Sequence, residues 1–131
     1  MMRNGNLTAE EEKLTAEVVD SAFQVNKNLG PGLLEKIYEM CFCHELSKRK
    51  LHFETQLSIP IKYDGLLFEN AFRIDVFVEN KILCELKAVN EIISLYEAQL
   101  LTYMKLTNKR LGLLINFNVP LIKNGIKRII L

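Results

Sequence analysis

The chain has 131 residues and a formal net charge of +1, with 49% hydrophobic and 25% charged residues, a size and balance that suit one domain, 1–131, with an apolar core. That composition excludes a disordered or low-complexity chain, and the near-neutral charge neither demands nor rules out a polyanionic partner. No run of about 18 apolar residues could span a bilayer, and the polar, acidic segment Met1 to Leu14 lacks the apolar core of a signal peptide, so a soluble cytoplasmic protein without a membrane partner is expected.

Thr8 and Glu11 form a capping-box pattern, and Leu14, Val18, Val19, Ala22, Val25 and Leu29 follow at helical spacing, which predicts a helix from Thr8 to Asn28. Gly30-Pro31-Gly32 ends it, and a second helix is predicted from Gly32 or Leu33 to Lys50, closing on the basic run Lys48-Arg49-Lys50. Phe53, Thr55, Leu57 and Ile59 then alternate with Glu54, Gln56 and Ser58 as a strand does. Tyr63-Asp64-Gly65 has turn chemistry, and a second strand runs from Leu66 to Val78. Glu79-Asn80-Lys81 is the next turn, followed by a third strand from Ile82 to Val89. Helical spacing returns from Asn90 to Thr107, and Leu111 to Phe117 is a nearly continuous apolar run, as in a strand buried on both faces. Ile126 to Leu131 reads as a last, apolar edge strand, one that a second copy could pair with to make a homodimer. The order is ααβββαββ, an α/β fold in which a β-meander is followed by a crossover helix and a parallel strand.

Cys41, Cys43 and Cys84 form an odd set, and reduced thiols are expected. Cys41-Phe42-Cys43-His44 suggests metal-ligand spacing, but within a helix the two cysteines point about 200° apart, and no second Cys/His pair completes four zinc ligands.

The chemistry gathers on the hairpin of the second and third strands. Glu85 and Lys87, two apart on one strand, share a face about 7 Å apart. If Glu79-Asn80-Lys81 forms a three-residue loop, Val78 lies opposite Ile82, Asp75 opposite Glu85 and Arg73 opposite Lys87, all on one face. A two-residue loop would pair Asp75 with Cys84 and send Glu85 to the other side. In the first register the two carboxylates have Cβ atoms about 5 Å apart, a repulsive pair that calls for a cation. Hard oxygen ligands favour Mg²⁺ or Mn²⁺, and a neighbouring lysine can orient water and stabilise charge on a phosphate. The plainer alternative is a cross-strand ion-pair ladder on a solvated face.

Two helices bear on that choice. Glu35 lies in line with Tyr38, Phe42 and Leu46 and is expected to face inward, where a carboxylate needs a partner. Gln99 and Tyr103, in line with Ile92 and Tyr96, are likewise expected to face the sheet.

Gly32-Leu33-Leu34-Glu35-Lys36-Ile37-Tyr38 reads as G-x-x-E-x-x-Y, and the chain resembles the protein family named for that motif, a branch of the PD-(D/E)XK nuclease superfamily. Arg73-Ile74-Asp75-Val76 resembles its R-x-D-x-x-V strand, Glu85-Leu86-Lys87-Ala88 its E-L-K-A strand, Glu97 to Tyr103 its E-A-Q-L-L-x-Y helix, and Leu111 to Phe117 its G-L-L-I-N-F strand. Ile74 stands where the literal motif has proline. The resemblance implies a restriction-endonuclease-like core, a mixed sheet flanked by helices. It implies Asp75 and Glu85 as ligands to Mg²⁺ or Mn²⁺, with the Leu86 carbonyl and Glu35 contributing, Lys87 as the catalytic lysine, and Gln99 and Tyr103 positioning site and substrate. The activity implied is hydrolysis of phosphodiester bonds, in DNA, in repair or defence. The alternative is a catalytically silent module that binds nucleic acid or a partner while keeping the nuclease fold. Lys48, Arg49, Lys50, Lys105, Lys109, Arg110, Lys123, Lys127 and Arg128 are candidate phosphate contacts, with plain solvation as the other reading.

Overall fold

Thr8 opens the first helix as its sequence implies. Its hydroxyl accepts the Glu11 N–H at 3.0 Å, and the Glu11 carboxylate accepts the Thr8 N–H at 2.9 Å, satisfying two of the donors that every helix start leaves free. The computed structural model describes residues 6–131, so Met1 to Gly5 of the expected domain lie outside the described residues. Helix α1 spans Ala9–Leu29 and buries Leu14, Val18, Ala22 and Val25. Gly30 follows at φ 67° and Gly32 at φ 103°, left-handed positions that favour glycine.

Helix α2 spans Glu35–Lys48, starting later than its periodicity suggests because Leu34 is extended and caps nothing. The loop before it is held by Tyr38 instead. That ring is fully buried and stacks on Phe117 with centroids 4.9 Å apart. Its hydroxyl donates to the Gly30 carbonyl at 2.6 Å and accepts the Leu33 N–H at 3.1 Å, which places Glu35 at the head of the helix.

Strands β1 (Phe53–Tyr63), β2 (Leu66–Val78) and β3 (Ile82–Lys87) form the meander, α3 (Ser94–Thr107) crosses over, and β4 (Leu111–Asn116) returns parallel to β3. A short 3₁₀ turn, Ile122–Asn124, leads into β5 (Ile126–Ile130), antiparallel to β4. The sheet has five strands in the order β1-β2-β3-β4-β5, so β4 is interior and buried throughout and β5 is an edge. This is the mixed sheet with three helices expected of the restriction-endonuclease-like α/β fold. Val76, Val78, Ile82, Cys84 and Leu86 pack with α1 and α2 on one side, while Phe77, Leu83 and Leu114 pack with Leu100 and Met104 of α3 on the other. All three cysteines are free thiols, Cys84 in the core. Among the described residues no helix is long and apolar enough to cross a membrane.

Strand β3 stops before the predicted Val89 because of a side-chain clasp, and α3 starts after the predicted Asn90, with Ile93 still extended. The buried side chain of Asn116 accepts the Val89 N–H and donates to the Val89 carbonyl, both at 3.0 Å. This side-chain clasp takes the place of ladder bonds beyond Lys87, and its partner is far away in sequence.

Tyr38→Phe keeps the ring stack but leaves the Gly30 carbonyl and Leu33 N–H without their partner, and is expected to cost about 1–3 kcal/mol. Urea unfolding of the two proteins measures it, and an unchanged midpoint would mean that the hydroxyl does not hold the loop.

Candidate active site

The register of the hairpin depends on its turn. Glu79 and Asn80 both adopt left-handed φ values, 52° and 57°, and the Lys81 N–H donates to the Val78 carbonyl at 2.9 Å. Lys81 is then an extra residue before the ladder, which pairs Val78 with Ile82, Phe77 with Leu83 and Val76 with Cys84. The Glu79 carboxylate accepts the His52 N–H at 2.6 Å and the Glu79 N–H donates back to the His52 carbonyl at 2.8 Å, tying the turn to the start of β1. The loop therefore counts as three residues, and the next step of the same register sets Asp75 across from Glu85.

At that step the two strands part. No ladder pair follows Val76 and Cys84; instead the Asp75 N–H donates to Glu85 Oε1 at 3.2 Å and the Leu86 N–H donates to Asp75 Oδ2 at 2.8 Å. Each carboxylate is held by the opposite strand's main chain. Strand β2 also changes face here. Ile74 and Phe77, three apart, both pack on the α3 side, whereas Val76 and Val78 pack on the other, which strict alternation forbids. Strand β1 changes face beside it: Phe53 packs against the α1 and α2 core, Leu57 and Ile59 against the α3 core, and Gln56 between them has φ 50°. Because of this break the predicted pairing of Arg73 with Lys87 does not form. Arg73 is exposed and pairs with Ser58, and Lys87 pairs with Asn116 of β4.

Burial pushes the Glu85 carboxyl up to about 8, the charge of Asp75 adding to the effect, while the Asp75 N–H and the Lys87 charge oppose it. Asp75 is raised too, by burial, against the Leu86 N–H, the Gln56 amide and Lys87. Neither acid forms an ion pair. The Lys87 ammonium instead lies over the Tyr96 ring, 4.4 Å from its centroid, a cation–π contact that holds it beside the acids without neutralising either directly.

Glu35 is exposed on the first turn of α2, not inward as predicted, yet partial burial of its carboxyl raises it. Lys87 draws it down, Asp75 pushes it up and the Ala88 N–H favours its charged form, so it does stand within reach of the pair. Tyr103 is half-buried, stacks on Phe72 with centroids 4.3 Å apart, and is raised by burial and by the charges of Glu85 and Asp75. Gln99 differs from expectation. It is exposed, and its side chain makes no hydrogen bond among the described residues, whereas Leu100 and Met104 point into the core and Tyr96 and Tyr103 pack beside them.

Two further polar residues belong to the neighbourhood. Glu39 on α2 is raised by burial, with Asp75 and Glu35 adding like charge, and its Oε1 accepts the Gln56 amide at 2.9 Å. Gln56 also reaches Asp75 Oδ1, at 3.4 Å. The available signal was Glu35 and Glu39 at four-residue spacing, a like-charge pair that weakens a helix by itself. Gln56 had no such signal.

Among the described residues no three His, Cys, Asp or Glu side chains gather closely enough to cage an ion. What Asp75 and Glu85 offer is an oxygen-only pair in which Glu85 Oε2 accepts no hydrogen bond from the described residues, a donor set that fits a hard divalent cation retaining several waters. Of the candidate phosphate contacts, Lys48, Arg49, Arg110, Lys127 and Arg128 are committed to Glu45, Asp20, Glu11, Glu97 and Glu12 in ion pairs.

No match to the chain was found among curated proteins or among solved structures. The family model of the PD-(D/E)XK nuclease superfamily matches residues 12–129, from the second turn of α1 through most of β5. Nucleases of that superfamily generally use divalent metal ions, which agrees with an acid pair left without a cation of its own. By that match, which takes in nearly every element described above, the chain belongs to the PD-(D/E)XK nuclease superfamily.

Proposed function

We propose that the chain is a metal-dependent nuclease that hydrolyses phosphodiester bonds in DNA, with its active site where β2 and β3 part. The observation that carries this reading is the reciprocal hold on Asp75 and Glu85, two half-buried acids pressed together with Lys87 beside them. Asp75 and Glu85 would hold Mg²⁺ or Mn²⁺, with the Leu86 carbonyl and Glu35 completing the set directly or through water. The bound ion supplies charge neutralisation for a phosphate and a more acidic water. Lys87, kept off the carboxylates by Tyr96, is placed to steady the charge that builds on the phosphate. Tyr103 would act as a positioning group on the α3 side, and Gln99, open to solvent on the same helix, would meet the substrate rather than the acids. The Gly32 to Tyr38 motif supports a place in the GxxExxY branch, and one sheet with helices on both faces supports reading 1–131 as a single domain. Work in repair or defence, in the cytoplasm, is part of the same proposal, as is a homodimer through β5.

A second reading, a silent binding module, draws support from the ion pairs that occupy so much of the basic surface. Incubation with plasmid and single-stranded DNA in Mg²⁺ or Mn²⁺ separates the two. Cleavage is expected, with a fall of about 100-fold or more in Lys87→Ala and Asp75→Ala. Cleavage that persists in both variants would rule out this site, and DNA binding with no cleavage in either metal would favour the module.

The proton on Glu85 gives a further test. Its folded value of about 8 lies above the roughly 4.3 of an unfolded glutamate, so the folded chain holds a proton that the unfolded chain has released. That contribution to stability is complete below about pH 4 and is lost as pH rises toward 8. Without metal, Glu85→Gln is therefore expected to melt higher than the parent protein near pH 8, with the difference shrinking toward acid. In the parent protein Mn²⁺ must displace that proton, so affinity measured by calorimetry should climb between about pH 6 and 8. A flat profile would show that metal binding releases no proton from Glu85 over that range.

A further inference from the structure

Gln56 sits where β1 and β2 change face, with a left-handed φ of 50°. Glycine or asparagine enters that backbone region far more readily than glutamine does. A kink alone therefore does not account for a glutamine at this position, but its side chain does. The amide nitrogen lies 2.9 Å from Oε1 of Glu39 on α2 and 3.4 Å from Oδ1 of Asp75 on β2, so its two N–H groups can serve one carboxylate each. The other oxygen of Asp75 takes the Leu86 N–H at 2.8 Å. Asp75 is thus fixed through both oxygens, one from β3 and one from β1, and the β1 group is anchored in turn on a helix. With no donor between them, Glu39 and Asp75 would meet only as like charges.

We propose that Gln56, anchored by Glu39, is a positioning residue that sets the orientation of the Asp75 carboxylate for a divalent cation. The proposal rests on the reading of Asp75 and Glu85 as a metal site. Groups that orient a metal ligand from behind are generally worth about 10–100-fold in affinity. The clamp spans three elements, β1, β2 and α2, so the aim of Asp75 is set by the packing of the helix as well as by the hairpin.

The test is a Mn²⁺ titration by calorimetry, with thermal unfolding alongside, on the parent protein and on Gln56→Gly, Gln56→Met and Asp75→Asn. Glycine relieves the backbone and removes the donor, whereas methionine keeps the reach and removes the donor alone. Both variants are expected to bind Mn²⁺ about tenfold or more weakly, while Gln56→Gly melts no lower than the parent. A purely structural kink predicts instead that Gln56→Gly binds as the parent does. Parent-like affinity in either Gln56 variant, with Asp75→Asn impaired, overturns the clamp and leaves the site standing. No Mn²⁺ binding by the parent, or undiminished binding by Asp75→Asn, overturns the site and the clamp with it.

Discussion

Where β2 and β3 part, the N–H groups of Asp75 and Leu86 lose the ladder partners that a continuing sheet would supply, and the side chains of Glu85 and Asp75 take them. Buried main-chain donors must be satisfied somewhere, and here the satisfaction is mutual across the two strands. The same bonds that end the sheet aim two carboxylates at one spot. Stability of the fork and geometry of the site are therefore not separable. Helix α2 supplies Glu35 and Glu39, α3 supplies Tyr96 and Tyr103, and each finds its place relative to this fork.

The fork is also where the fold gives up stability. A non-glycine residue in the left-handed region costs about 1–2 kcal/mol, which Gln56 incurs in the middle of a strand. Burial raises the carboxyls of Glu35, Glu39, Asp75 and Glu85 above their ordinary range. Elsewhere the molecule is conventionally satisfied, with a capped first helix, a fully buried β4 and no orphaned buried side-chain polar atom among the described residues. At the fork a left-handed glutamine inside a strand coincides with four carboxyls raised by burial, and strain and like charge meeting in one place are the physical mark of a functional site.

Much of this was legible beforehand because the relevant signals are local or discrete. A loop holds two residues or three, so the alternation around Glu79 to Lys81 could settle that Asp75 and Glu85 come together once the turn was known. Helix periodicity marked α1, α2 and α3, and the apolar run at Leu111 to Phe117 marked the buried strand Leu111–Asn116. The change of face at Gln56 and Asp75 was hidden, because apolar residues alternate on both sides of it without a break in pattern and glutamine is no signal for a left-handed backbone. The early end of β3 was hidden as well, since Asn116 acts on Val89 from a distant part of the chain. Of the stripe expected to face the sheet, Ile92, Tyr96 and Tyr103 do pack on that core, but spacing alone does not say which member Leu100 and Met104 leave in solvent, and it is Gln99.

The turn at Glu79 and Asn80 has a consequence for how this protein can vary. Exposed turns usually absorb insertions and deletions with little harm. Here one residue more or less would carry Glu85 and Lys87 into the α1 and α2 core and turn Ile82, Cys84 and Leu86 to the opposite face, toward α3. The left-handed φ values at Glu79 and Asn80 narrow the choice of residue at the tip, and its length is fixed by a site several residues away. For grafting a tag or joining another domain, the accessible hairpin end at Lys81 is the place to avoid, although its exposure invites it.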